Sequence, residues 1–204
     1  MPKTAVQTQK KKPKNSKAKG GAFERNVAKR LSLWYTHNER DDVFFRSASS
    51  GGRATQRFKK GQQTANSAGD LSYIDSVGEP FLKCVAVELK AGYKTATLSK
   101  LFSAKQAELL GFFNQASASA TQAGVNGWMV VHKIDFQPEM VYMNMGLFNR
   151  YFHISTQPKL TDIMQFPIPV IFIVLGNSQP VACLKFDDFL TFDPKRFRPE
   201  VLWD

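Results

Sequence analysis

The sequence predicts an α/β fold with a mixed central sheet flanked by helices, and three observations predict it. An apolar stripe at helical spacing, Phe23, Val27, Leu31 and Trp34 at i, i+4, i+8 and i+11, opens the part of the chain with apolar periodicity. Short β-branched and aromatic runs follow, of which Val85-Ala86-Val87-Glu88-Leu89-Lys90 is the clearest. A second helical segment then separates that run from another apolar strand, Trp128 to His132. The resulting order, α-β-β-β-α-β, is that of an α/β domain.

The elements are justified in chain order. Residues 1–20 hold Lys3, Lys10, Lys11, Lys12, Lys14, Lys17 and Lys19 with no acid and no aromatic residue, which predicts a disordered basic tail. These lysines account for +7 of the formal +11, leaving +4 for the remainder, and a pI near 9.7 points to a polyanionic partner. Helix 1 is predicted over Ala22 to Thr36, with Glu24 in its first turn, where the helix dipole favours an acid. Val43 to Arg46 is a strand, Ser47 to Gly52 a polar turn, and Arg53 to Ala68 a long loop carrying Arg53, Arg57, Lys59 and Lys60 without an acid. Asp70 to Ser76 is a second strand, Gly78-Glu79-Pro80 a turn, and Lys83 to Lys90 a third strand. A helix over Ser99 to Ala116 turns Leu101, Ala104, Leu109 and Phe112 inward, and Ser117 to Gly127 reads as a small-residue connection. After Trp128 to His132 the chain reads mainly as β: Met140 to Met143, Val170 to Leu175, Val181 to Phe186, and a short segment at Phe186 to Leu190.

With 204 residues the chain supports one domain over 21–204, a core of about 21–134 with a β-rich extension over about 135–204 packed on it. Cys84 and Cys183, far apart in apolar runs, read as reduced thiols, with a disulfide as the alternative. The longest apolar stretch, near Ile168 to Leu175, is too short to span a bilayer, and the N-terminus has no signal-peptide core. The expectation is a soluble intracellular protein of the cytoplasm or nucleoid, without membrane contact. Lys10-Lys11-Lys12-Pro13-Lys14 would serve nuclear import in a eukaryotic host.

The chemistry lies in Gly69-Asp70-Leu71 and Val87-Glu88-Leu89-Lys90. Side chains alternate along a strand, so Glu88 and Lys90 share a face while Leu89 points to the core. A strand ending near Asp70 adds a second carboxylate. Paired carboxylates beside a lysine suit Mg²⁺ held against a phosphate, since Mg²⁺ takes one or two carboxylates plus waters and substrate oxygens. The bland alternative is a solvated cross-strand ion pair. His37, His132 and His153 show no ligand spacing, which argues against zinc or histidine catalysis, and Ser49-Ser50-Gly51-Gly52 lacks the Gly-Lys-Ser/Thr of a P-loop.

Glu24, Asp70, Glu88 and Lys90, on a helix followed by strands, resemble the PD-(D/E)xK nuclease superfamily, with its restriction-endonuclease-like fold. Lys19-Gly20-Gly21-Ala22-Phe23-Glu24-Arg25, then a helix, then Val43-Phe44-Phe45-Arg46-Ser47-Ala48-Ser49-Ser50, resembles the archaeal-type Holliday junction resolvases over about Lys19 to His132. Residues Gly127 to Phe152 are similar, more faintly, to the bacterial branch. The resemblance implies Asp70 and Glu88 as direct Mg²⁺ ligands (Mn²⁺ being the alternative ion), with the Leu89 carbonyl a third. It implies that Lys90 positions the attacking water and that Glu24 reaches the metal's hydration shell. Arg25, Arg46, Ser47 and Ser50 would contact the DNA strand, and Gln106 would face the site from the following helix. Two departures stand out: Gly69 replaces the usual proline before the first acid, and residues 51–69 are an insertion. That insertion is basic, and Arg53, Arg57, Lys59 and Lys60 are expected DNA contacts.

The function so implied is Mg²⁺-dependent phosphodiester hydrolysis by a structure-selective DNA endonuclease acting on four-way junctions. Two symmetric cuts imply a homodimer, for which the Phe-rich C-terminal part is the candidate interface. The alternatives are a nuclease of the same fold acting on duplex, nicked or single-stranded DNA, and a non-catalytic DNA-binding protein. A basic RNA-associated protein would explain the charge but not the Asp…Glu-x-Lys arrangement.

Overall fold

A computed structural model describes residues 16–47, 67–102, 107–152, 167–174 and 179–197. Helix α1 spans Ser16–Tyr35 and buries the stripe read from the sequence: Val27 and Leu31 are fully buried, Phe23 and Trp34 nearly so. Its last turn closes on two residues in the left-handed region, His37 (φ 52) and Asn38 (φ 70), whose N–H groups return to Trp34 O and Leu33 O. Buried Ser32 donates to Ala28 O and accepts from Phe44 N at 2.8 Å, which ties α1 to the strand that follows.

That strand, β1 (Phe44–Arg46), pairs antiparallel with β3 (Leu71–Tyr73), and β3 pairs with the two-residue β2 (Ser67–Ala68). The main sheet has five strands in the order β4-β5-β6-β8-β7. β4 (Val85–Ala91) and β5 (Gly127–Lys133) run parallel across helix α3 (Ala107–Ala123); β6 (Met140–Asn144), β8 (Val181–Lys185) and β7 (Ile171–Ile173) add antiparallel. This is an α/β architecture with a mixed five-stranded sheet flanked by helices, consistent with a restriction-endonuclease-like fold.

Several boundaries differ from the sequence reading, each for a physical reason. Gly78-Glu79-Pro80 is not a turn: a 3-10 turn over Ser76–Gly78, capped by the Asp75 side chain, runs into helix α2 (Glu79–Cys84). Pro80 fits the first helical turn, where no N–H is needed, and Phe81 and Leu82 are buried. Helix α3 continues to Ala123, through residues read as a connection, because Ala116 and Ala120 are small enough to lie flat on the sheet. The strands after residue 135 extend the central sheet itself rather than packing on it. Between them, Met145–Phe152 forms helix α4, which buries Leu147, Phe148 and Tyr151, and Phe186–Phe189 forms the short helix α5.

The Phe-rich C-terminal part faces inward. Phe148, Phe186, Phe189 and Phe197 are fully buried, and Trp34 meets Phe81, Phe189 and Phe197 at ring centroid distances of 5.8, 5.0 and 5.7 Å. These rings are committed to the protein's own core. Cys84 and Cys183 are both free thiols. Among the described residues, no helix is long and apolar enough to cross a membrane.

Among the described residues, the two sheets pair at one point, a parallel bridge between Gly69 and Val87. Gly69 has φ +75, and a Cβ built there would lie 2.3 Å from Val87 O. Only glycine satisfies both demands. Gly124, at the end of α3, also has a left-handed φ (+70) but has nothing within 4 Å of a Cβ. Gly124→Ala is therefore expected to cost only the left-handed strain, about 1–2 kcal/mol. Gly69→Ala adds a backbone collision and is expected to cost at least about 3 kcal/mol. Urea denaturation of the two variants checks the difference.

Candidate active site

The bridge delivers Asp70 to the edge of β4. Asp70 N donates to Val87 O at 2.7 Å, and Leu89 N donates back to Asp70 Oδ2 at 2.9 Å. An extended residue presents its N–H and C=O to the same edge, so the Leu89 carbonyl is also on the Asp70 side. The Leu89 side chain is buried in the core, as alternation requires. A proline could not stand at 69, since its φ is fixed near −65°. The departure from the superfamily pattern is thus what this local geometry demands.

Glu88 and Lys90 share a face of β4, but that face lies beneath α3 rather than in solvent. Glu88 is 2% exposed, and its carboxylate accepts from Lys90 Nζ at 2.9 Å, Gln115 Nε2 at 2.7 Å and Ser119 Oγ at 2.7 Å. Lys90 Nζ also donates to Gln115 Oε1 at 3.0 Å and lies 5.8 Å from the centroid of Phe112. Gln115 therefore clamps acid and lysine together. The bland reading, an exposed ion pair, is not what the fold builds. Beside Lys90 in the parallel register is His132, 1% exposed, whose pKa burial lowers to about 4, so it adds no positive charge there at neutral pH.

Asp70 bears the electrostatic cost of this packing. Burial first, then the charge of Glu88, and least the charge of Glu24, push its carboxyl up to about 7; the Leu89 N–H bond and Lys90 oppose the rise. Two carboxylates are thus held together with a single ammonium between them. A divalent cation suits such a pair, since Mg²⁺ needs only one or two carboxylates and completes its shell with water. Among the described residues, no three His, Cys, Asp or Glu side chains form a metal-binding group.

The other expected residues fall into three groups. Glu24 on α1 is close enough to act on Asp70, but its carboxylate is ion-paired with Arg46 Nε, whose side chain is 42% exposed. Arg25 and Arg46 converge beside Gly21, their Nη1 atoms 3.5 and 3.4 Å from where a Cβ would stand. Ser47 is 2% exposed, and its N–H donates to Asp70 O at 2.8 Å, so it braces Asp70. Ser50, Arg53, Arg57, Lys59, Lys60 and Gln106 lie outside the described residues. The glutamine that touches the acid is Gln115, with Ser119 one turn on. Their i, i+4 spacing on the helix after Glu-x-Lys was the available signal.

A phage family described as "Phage putative PDDEXK endonuclease" matches residues 15–196 of the chain. The chain belongs to this PDDEXK endonuclease family. It is accordingly a nuclease of the PD-(D/E)xK superfamily. No curated protein and no solved structure matches the chain.

The raised Asp70 pKa fixes a pH signature for this endonuclease. The ordinary value is 3.8 and the folded value about 7, so the native state holds the proton more tightly than the unfolded chain. The penalty for ionising Asp70 is absent below pH 3.8, accumulates as pH rises, and is complete above about 7. Asp70→Asn is expected to raise Tm at pH 8 in chelating buffer and leave it unchanged near pH 3.5. Thermal melts at both pH values check this, and an equal effect at both would contradict it.

Proposed function

We propose that this PDDEXK nuclease is a metal-dependent, structure-selective DNA endonuclease, with the four-way junction as its substrate. The observation that carries the metal site is the placement of two carboxylates at adjoining residues of β4: Asp70 held by Leu89 N, and Glu88 held by Lys90, Gln115 and Ser119. Asp70, Glu88 and the Leu89 carbonyl would hold Mg²⁺ or Mn²⁺, which when bound polarises the scissile phosphate and lowers the pKa of a water.

The chain's own groups supply the rest. Lys90, fixed by Glu88 and Gln115, places an ammonium where the attacking water and the developing negative charge are expected. Its location on the Phe112 ring limits the directions it can take. Ser119 holds the second oxygen of Glu88 and so fixes the orientation of that carboxylate. Arg25 and Arg46 offer guanidinium groups to backbone phosphates flanking the cut, with Glu24 holding Arg46 in place. No element reads as a major-groove helix, so recognition rests on DNA shape and phosphates.

What favours a junction over other DNA is the joint placement of Glu24, Arg25 and Arg46 beside the acids, the arrangement that carries the likeness to the archaeal-type resolvases. Two symmetric incisions call for a C2 homodimer. Its interface would use side chains that the C-terminal part leaves exposed, such as Ile171 and Val174, rather than the buried rings. A nuclease acting on duplex, nicked or single-stranded DNA is the second reading, since it uses the same metal site.

The test is incubation of purified protein with a labelled immobile four-way junction, matched duplex and nicked controls, with and without Mg²⁺. Paired symmetric incisions confined to the junction and to Mg²⁺ are expected. Cutting of every substrate favours the second reading. Lys90→Ala is expected to bind the junction but to lose at least about 100-fold in cutting rate, the scale of a positioned proton-transfer group. Full cutting by Asp70→Ala or Glu88→Ala would remove the site assignment.

A further inference from the structure

We propose that Tyr93 is a stacking platform for a nucleobase with an uncovered face, next to the strand held at Lys90. The proposal rests on the nuclease reading of the site and adds the kind of DNA it takes: one in which a base near the cut is unpaired or has lost a stacking neighbour. Single strands, flaps and branch points all offer such a base.

Four observations carry it. The chain leaves β4 through Gly92, at φ +87, and places Tyr93 three residues past Lys90. The Tyr93 ring is 43% exposed, yet it is held in place, edge to face against Phe112 with centroids 4.9 Å apart and planes at 68°. Phe112 is itself buried and is the same ring that Lys90 Nζ overlies at 5.8 Å. Lys94, the next residue, is exposed, and Glu108 is hydrogen-bonded to Thr95.

A single exposed aromatic is ordinary on a protein surface. Position singles this one out. Sharing Phe112 puts the Tyr93 ring and Lys90 Nζ at most about 11 Å apart, roughly three base steps along a duplex strand. A fixed ring at that reach meets a base close to the phosphate that Lys90 serves. Inside a stacked duplex both faces of a base are covered by neighbours, so the ring is of use only to a base that has lost one. Stacking on an aromatic face is indifferent to base identity, which agrees with recognition by shape.

The experiment measures DNA binding by the full chain in chelating buffer, so that no cutting occurs. The probes are a single-stranded oligonucleotide, a flapped duplex and a blunt duplex, each carrying 2-aminopurine. Native protein is expected to quench 2-aminopurine in the single-stranded and flapped probes. Tyr93→Ala is expected to weaken binding to those two probes by about 5- to 100-fold, the range of one base–aromatic stack, and to abolish the quenching, with blunt-duplex affinity unchanged. Tyr93→Phe should retain both properties. Tyr93→Leu, which keeps apolar packing on Phe112 without a π face, should behave as the alanine variant. Equal affinity of native protein and Tyr93→Leu for single strands would overturn the proposal, as would an equal loss on all three probes, which marks a structural role. Stacking as expected in a protein that cuts nothing in Mg²⁺ would leave this inference standing and remove the nuclease reading. Junction cutting with no effect of Tyr93 would do the reverse.

Discussion

The approach of Gly69 to Val87 is the constraint on which the rest of this molecule depends. It is the only paired contact between the small antiparallel sheet and the main sheet among the described residues, and it tolerates no side chain. Because the chain enters it with a left-handed residue, the next N–H turns onto Val87 O and the Asp70 carboxylate comes back to Leu89 N. An acid from one sheet is thereby set against an acid of the other. Ser47, whose N–H holds the Asp70 carbonyl, braces the same point from β1. Each of these bonds is to backbone, so the placement of Asp70 does not rely on flexible side chains.

Around that point the charges divide into two kinds. Glu88 is satisfied by Lys90, Gln115 and Ser119, and Glu24 is matched by Arg46. Asp70 is the member left uncompensated, and its raised pKa records this. The fold thus concentrates the electrostatic cost of burial on one carboxylate, the kind of perturbed group that clusters at functional sites. Helix α3 makes this possible by lying close to β4 on small residues, with a glutamine and a serine turned to the acid. The same helix supplies Phe112, which limits both Lys90 and the tyrosine beyond it.

What was legible in the sequence was what local spacing encodes. The stripe Phe23, Val27, Leu31 and Trp34 is the buried face of α1, and alternation alone placed Glu88 with Lys90 and turned Leu89 away. What was hidden depends on contacts between distant segments. Ser119 was missed because a run of serines and alanines reads as a linker until the flat sheet beneath it is known, and Gln115, inside the predicted helix, because its contact with Glu88 depends on how that helix packs on β4. Met145–Phe152 was given no element of its own in a part that reads mainly as β, and Leu147, Phe148 and Tyr151 are the residues this helix buries. The phenylalanines near the C-terminus looked like surface for a partner; they are the far wall of the pocket that receives Trp34. The glycine before Asp70 looked like a tolerated exception and is the residue the geometry requires.

The central claim is that Asp70 and Glu88 are held together to bind a divalent cation, and direct Mn²⁺ titration at pH 8, read by electron paramagnetic resonance, tests it. One Mn²⁺ bound per chain, displaced by Mg²⁺ and lost in Asp70→Asn and Glu88→Gln, is the predicted result. Identical binding in the native protein and both variants, or none in any of them, would contradict the claim.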